Sequence, residues 1–178
     1  MKPALVTLLA LALTGPAAGR TTAIGAPPPT SSQSEHAIIT YVVTDSVAEV
    51  KLSQLALQKS ENAAVREFAR KMIDEHTRIA NEAMALGRAQ NVTGLELKPS
   101  EDGAVSYAHL ALYSGKAFDE NFMLNNVSDH QSDISTLRHA TEYTKTPAIL
   151  KFEEAMLPQF EMHLRLAERA ADAAAHAS

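Results

Sequence analysis

The sequence REFARKMIDEHTRIANEAMAL, residues 66–86, decides the fold of this chain. Its apolar residues recur at steps of three and four, which places them on one stripe of a long amphipathic helix. With the residue just before it, the stripe comprises Val65, Phe68, Ala69, Met72, Ile79, Ala83 and Leu86. His76 falls on the same stripe. An imidazole that faces the core of a helix bundle needs a hydrogen-bond partner or a metal ion for its ring nitrogens.

The composition indicates one modest all-α domain. The chain has 178 residues, 46% of them hydrophobic, with abundant alanine and few strand-like runs after residue 34. Its 16 basic and 21 acidic side chains give a net charge of -5, which argues against nucleic acid as a partner. Because there is no cysteine, disulfides, thiolate zinc sites, iron–sulfur clusters and cysteine nucleophiles are excluded.

The N-terminus predicts export. Residues 1–19 combine Lys2, an apolar run over 4–13 and small residues up to Gly19, which is the pattern of a signal peptide. The apolar run is too short to span a bilayer comfortably, so an uncleaved anchor is the weaker alternative. The mature chain, without a transmembrane segment, would then be periplasmic or secreted. Residues 20–34 contain three consecutive prolines and predict a disordered linker.

Four long helices and one short helix are predicted between residues 34 and 173. Thr146-Pro147 is a strong helix start, and Pro158 is expected to kink or split the last helix. Residues 101–113 predict a short extra helix across the end of the bundle. Short loops and similar lengths favour an antiparallel four-helix bundle over residues 35–173, with a frayed tail at 174–178. The long helices are predicted at residues 34–59, 62–90, 116–143 and 147–173.

Each long helix carries one polar residue at a similar depth. Glu49, His76, His130 and His163 lie about 13–16 residues after their helix starts, or roughly 20–24 Å along each axis. In an antiparallel bundle these depths meet in one layer. Imidazole and carboxylate ligands suit a transition-metal ion such as Zn, Mn, Fe or Cu.

The residues around this layer leave the chemistry open. Met72 and Met156 lie near the histidines, and a thioether ligand would favour copper. Glu75 and Asp129 precede two of the histidines and point about 100° away from them, so they can support a histidine of another helix. The alternative is a hydrogen-bonded polar layer that fixes helix register and binds no metal. The protein would then be a structural or stress-related envelope protein that acts through its surface.

No motif in the sequence favours an enzyme. A di-iron bundle needs Glu-x-x-His twice, and the residues three before the histidines are Ile73, Val127 and Phe160. Phosphate loops, nucleophile elbows and HExxH are also missing. A metal-dependent oxidase or hydrolase is therefore the third and weakest hypothesis. The sequence leaves the protein partner and a homo-oligomer open.

The chain resembles the DUF4142 family, exported ferritin-like helical proteins of bacteria. The resemblance rests on SVAEVKLSQLALQKSENAAVREFARKMIDEHTRIANE, KAFDENFMLNNVSDHQSDI and LKFEEAMLPQFEMHLRLA, which cover most of residues 36–170. The family motifs fall on Ala48-Glu49-Val50, Met72 to His76, Phe118-Asp119, Asp129-His130, Leu157-Pro158 and His163-Leu164. The resemblance implies a ferritin-like four-helix fold and an envelope location. It implies little about chemistry, because the family is named for its unknown function.

Overall fold

The computed structural model describes residues 31–176, which form five α-helices and no strand. The predicted all-α bundle, with a short extra helix between the second and third long helices, is confirmed. The predicted signal peptide and residues 20–30 of the predicted linker lie outside the described residues. The first helix begins within that linker, and the last extends beyond residue 173. The helices are α1 (Ser31–Lys59), α2 (Ala63–Ala89), α3 (Glu101–Leu110), α4 (Gly115–Tyr143) and α5 (Pro147–His176).

Capping residues set the helix starts. The Asn62 side chain accepts hydrogen bonds from the backbone N–H groups of Ala64 (2.9 Å) and Val65 (3.3 Å) at the start of α2. Pro147 is the first residue of α5, as its sequence context predicts. Helix α5 continues through Pro158 and is not split. Pro158 is exposed, so water can reach the backbone carbonyl that loses its partner there.

The four long helices form a ring in which every neighbouring pair is antiparallel. Helix α1 packs against α2 and α4, and α5 packs against the same two helices, so α1 and α5 are diagonal. Contacts whose residue numbers rise on one helix and fall on the other establish the directions. They are Ile39–Gly87 and Ser46–His76 for α1 and α2, Tyr41–Asp133 and Lys59–Phe118 for α1 and α4, Glu75–His163 and Arg78–Gln159 for α2 and α5, and Lys116–Ala175 and Arg138–Glu161 for α4 and α5.

A single long crossover joins α2 to α4. It runs along the side of α1, where the Ser100 N–H bonds the Thr44 carbonyl at 3.1 Å and Gly103 of α3 lies against Ala48. At the far end, Lys59 Nζ donates to the Ala111 carbonyl at 2.7 Å. The prediction that the short helix crosses the bundle end is therefore wrong. The crossover must span the bundle length because α2 and α4 run in the same direction.

The core has two apolar clusters with a polar layer between them. One contains Leu52, Met72, Phe118, Phe122 and Ala167, and the other contains Ile39, Val43, Ile79, Ile134, Met156 and Phe160. Fully or almost fully buried polar residues lie between them along the chain of each long helix: Ser46, Glu49, His76, Asn126, His130 and His163. None of the described helices has the length and apolarity needed to span a bilayer.

The Asn62 cap gives a first testable prediction. We expect Asn62→Ala to lower the free energy of unfolding by about 1 kcal/mol, because two N–H groups at the start of α2 lose their acceptor. Urea unfolding followed by circular dichroism measures the change. The matched control is Asn62→Asp, which keeps the acceptor oxygen and should keep the stability. Equal loss in both variants would contradict the capping explanation.

Candidate metal centre

Three histidines converge at the centre of the bundle. His76 of α2, His130 of α4 and His163 of α5 have no solvent exposure. Each offers a ring nitrogen, and these nitrogens all lie within 4.8 Å of one another. The ring centroids are separated by 5.6 Å for His76–His130, 5.1 Å for His76–His163 and 5.2 Å for His130–His163. The structure thus brings together the three histidines that the sequence placed at one depth.

Hydrogen bonding fixes the proton of His130. Its Nδ1 lies 2.8 Å from the Asn126 backbone carbonyl, one turn earlier in α4. A carbonyl only accepts, so Nδ1 carries the proton and donates it. The lone pair of the neutral ring is then on Nε2. Among the described residues, this buried Nε2 has no hydrogen-bond partner.

His163 is held in the opposite sense. Its Nε2 bonds the Glu75 carboxylate, which reaches across from α2. The other oxygen of Glu75 is paired with Lys71, four residues earlier on the same helix. A carboxylate is an acceptor, so the proton is on Nε2 and the lone pair on Nδ1. That Nδ1 is buried, and no described residue bonds it.

His76 completes the group. Its Nδ1 lies 3.4 Å from the Ser46 hydroxyl of α1, and no described residue bonds its Nε2. Phe160 stacks on the His76 ring at 5.7 Å with an interplanar angle of 21°, and meets the His130 ring edge-to-face at 6.0 Å. The aromatic ring closes this side of the layer. Each histidine therefore has one ring nitrogen held from outside and one without a protein partner.

The electrostatics keep the three rings neutral. Burial, followed by the neighbouring histidines, holds the pKa of His76 well below its usual value. Burial lowers the pKa of His130 to about 4, with His163 as the second cause. Burial also lowers the pKa of His163, although the Glu75 carboxylate opposes the shift. Neutral imidazole is the form that ligates metals.

These features fit a transition-metal ion. Zinc–imidazole bonds of about 2.1 Å place the nitrogens of a tetrahedral site roughly 3.4 Å apart, and the histidine nitrogens here lie within 4.8 Å of one another. Metal-ligating histidines usually donate their other N–H to a carboxylate, a carbonyl or water. His130 and His163 have such partners in Asn126 and Glu75. Three histidines would leave one coordination position for another ligand.

The other predicted site residues lie around this group. Glu49 is buried at the same layer but does not belong to the three-histidine group. Burial, followed by the nearby carboxylates of Asp129 and Asp133 on α4, raises the pKa of Glu49 well above its usual value. Met72 is in one apolar cluster and Met156 in the other. Glu75 supports a histidine of another helix, as its position in the sequence suggested.

A carboxylate cluster between α1 and α4 was missed by sequence reasoning. It consists of Asp45, Glu49, Asp129 and Asp133. Among the described residues, no Lys or Arg is a cause of the shifts in their pKa values. Burial raises all four pKa values, and for Asp133 the value is about 7. The Tyr41 hydroxyl donates to Asp133. The sequence signal for this cluster was two acidic pairs with i, i+4 spacing, Asp45 with Glu49 and Asp129 with Asp133, on two helices that are neighbours in the structure.

The fold and the site define the class of this protein as an all-α bundle with a buried histidine cluster. The model of the family described as "Domain of unknown function (DUF4142)" matches residues 20–170, and the chain belongs to this family. The resemblance seen in the sequence is confirmed. Comparison with curated proteins and with solved structures gave no match.

Proposed function

We propose that the protein is an exported bacterial envelope protein that binds one transition-metal ion through His76, His130 and His163. One observation carries the proposal: three buried histidines offer ring nitrogens within 4.8 Å of one another, and each histidine has one ring nitrogen that no described residue bonds. Buried polar atoms without a partner are costly, and a cation bound to all three would remove that cost. Export is supported by the basic, apolar and small-residue pattern of residues 1–19.

The chemistry of the ligands selects the ion. Three imidazoles suit Zn, Cu and Fe better than Mn, which prefers oxygen donors. A ferritin-like architecture is supported by the single long crossover between α2 and α4, the connection used by ferritin-like bundles. The site nevertheless differs from a di-iron centre, because its ligands are three histidines. We assign it a metal-holding role, because the three histidine side chains have no solvent exposure.

A second candidate is a hydrogen-bonded layer that fixes helix register without metal. The favouring observation is that every histidine has one polar partner: Ser46, Asn126 or Glu75. Such a layer would leave the protein to act through its surface. The two candidates differ in metal uptake.

Metal content is the direct test. We expect untagged protein, purified from the periplasm without chelator, to carry close to one ion per chain by ICP-MS, and metal-free protein to take up Zn or Cu in calorimetry. The intact mass of the same sample reports removal of the signal peptide. His163→Ala should lose the metal, whereas His139→Ala, an exposed histidine of α4, should keep it. Wild-type protein that stays metal-free after incubation with Zn, Mn, Fe and Cu would establish the structural layer instead.

A further inference from the structure

We infer that Glu75 is a positioning residue: it holds the proton of His163 on Nε2 and thereby turns the Nδ1 lone pair toward His76 and His130. The inference rests on the proposed function for its consequence, which is tighter metal binding. Its geometric part, the orientation of the ring, concerns the metal-free protein. The two parts can be tested separately.

The position of Glu75 explains how it reaches His163. It precedes His76 in α2, so its side chain leaves the helix about 100° away from the imidazole. That direction points to α5, which neighbours α2, and the carboxylate meets His163 there. One helix segment thus supplies both a candidate ligand and the support for another.

Two partners hold Glu75 itself. Lys71 bonds Oε1 and His163 bonds Oε2, so each oxygen of the carboxylate is used. The Glu75 side chain is 23% exposed, whereas that of His163 is fully buried. The carboxylate therefore lies at the edge of the core, between a surface cation and a buried ring. This arrangement restricts rotation of the carboxylate and of the imidazole together.

Glu75 differs from the other outer partners in charge. His130 is held by the neutral Asn126 carbonyl and His76 by the neutral Ser46 hydroxyl. A hydrogen bond to a carboxylate is stronger than one to a neutral acceptor, and it makes the opposite ring nitrogen more basic. Of the three histidines, His163 is consequently expected to donate its lone pair most strongly to a metal ion. The negative charge of Glu75 also attracts the positive charge of a bound ion.

Glu75→Gln tests the inference because it keeps the side-chain size and removes the charge. The matched control is Glu82→Gln, since Glu82 forms the same i,i+4 ion pair in α2, with Arg78, and is not bonded to any of the three histidines. In metal-free wild type, the His163 Nε2–H should give a strongly downfield proton resonance. We expect this resonance to move in Glu75→Gln and to stay unchanged in Glu82→Gln.

Metal affinity is the second readout, measured by competition with a chelator for zinc. We expect Glu75→Gln to bind zinc about 10–100-fold more weakly than wild type, and Glu82→Gln to match wild type. An unmoved His163 resonance in Glu75→Gln would overturn the positioning role. Equal affinity in the two variants would overturn its consequence for metal binding. A moved resonance in a protein that binds no metal would refute the proposed function and leave the positioning role intact.

Discussion

His76→Leu should abolish metal-dependent stabilisation while making the metal-free protein more stable. The substitution removes Nε2, which no described residue bonds, and replaces the ring by an apolar side chain of similar volume. Relieving a buried unsatisfied group is worth about 1–3 kcal/mol, offset in part by the weak Nδ1 contact with Ser46. Wild-type protein should instead gain about 4 kcal/mol when the free ion is at 1,000 times its dissociation constant.

Thermal and urea unfolding, each with and without zinc, measure both effects. His139→Leu is the control, because His139 is an exposed histidine of α4 outside the site, and it should respond to zinc like wild type. A structural polar layer predicts the reverse pattern: no zinc effect in wild type and a less stable His76→Leu. The two hypotheses therefore predict opposite changes in the unfolding free energy of His76→Leu relative to wild type, and this difference can be measured without metal.

The helices and their order were predictable from the sequence because local signals encode them. The stripe around His76 has the period of a helix, and Asn62 and Pro147 mark helix starts. The depth of each histidine along its helix was also readable, since the rise per residue is constant. Convergence of the three rings followed from these depths once the bundle was assumed.

The direction of Glu49 was not predictable. Depth fixes a layer but leaves rotation about the helix axis undetermined, and each residue turns the side chain by about 100°. The structure directs Ser46 to His76 and brings Glu49 close to Asp129 and Asp133. The ligand role predicted for Glu49 stays a prediction, and the geometry favours a three-histidine group.

The carboxylate cluster could not be predicted, because no local sequence pattern shows which helices are neighbours. An isolated aspartate on a helix reads as a solvated residue. Asp45 and Asp133 come close together only because α1 and α4 are neighbours, and residues 90–114 connect the helices before and after them. A connection of this length permits more than one arrangement of the long helices. The sequence pattern therefore did not predict the arrangement of the helices or the carboxylate cluster that depends on it.

Asp133→Asn should stabilise the protein at neutral pH and much less in acid. Asp133 is buried and faces Tyr41, Asp45 and Glu49 on α1 and Asp129 on its own helix. Burial raises its pKa from 3.8 to about 7. The folded state therefore binds more protons than the unfolded state between these values, and stability from Asp133 is present below pH 4 and lost as pH approaches 7.

The size of the effect follows from the shift. A pKa unit corresponds to about 1.4 kcal/mol, so the difference in unfolding free energy between Asp133→Asn and wild type should grow by on the order of 3 kcal/mol from pH 4 to pH 7. The amide oxygen can still accept the hydrogen bond from Tyr41. Burial lowers the pKa values of the three core histidines, so their contribution to stability decreases as the pH falls. The contribution of Asp133 has the opposite pH dependence. Both proteins contain these histidines, so the difference reports on Asp133 and the carboxylates whose pKa values it raises, Asp45 and Glu49.

Urea unfolding at several pH values between 4 and 7 gives this difference directly. Asp74→Asn, an exposed aspartate of α2 outside the cluster, controls for the loss of one negative charge. A difference between Asp133→Asn and wild type that does not change with pH would show that Asp133 is not protonated preferentially in the folded state. A difference that grows toward neutral pH would show that the cluster takes up protons on folding, because burial, and then the neighbouring carboxylates, raise its pKa values.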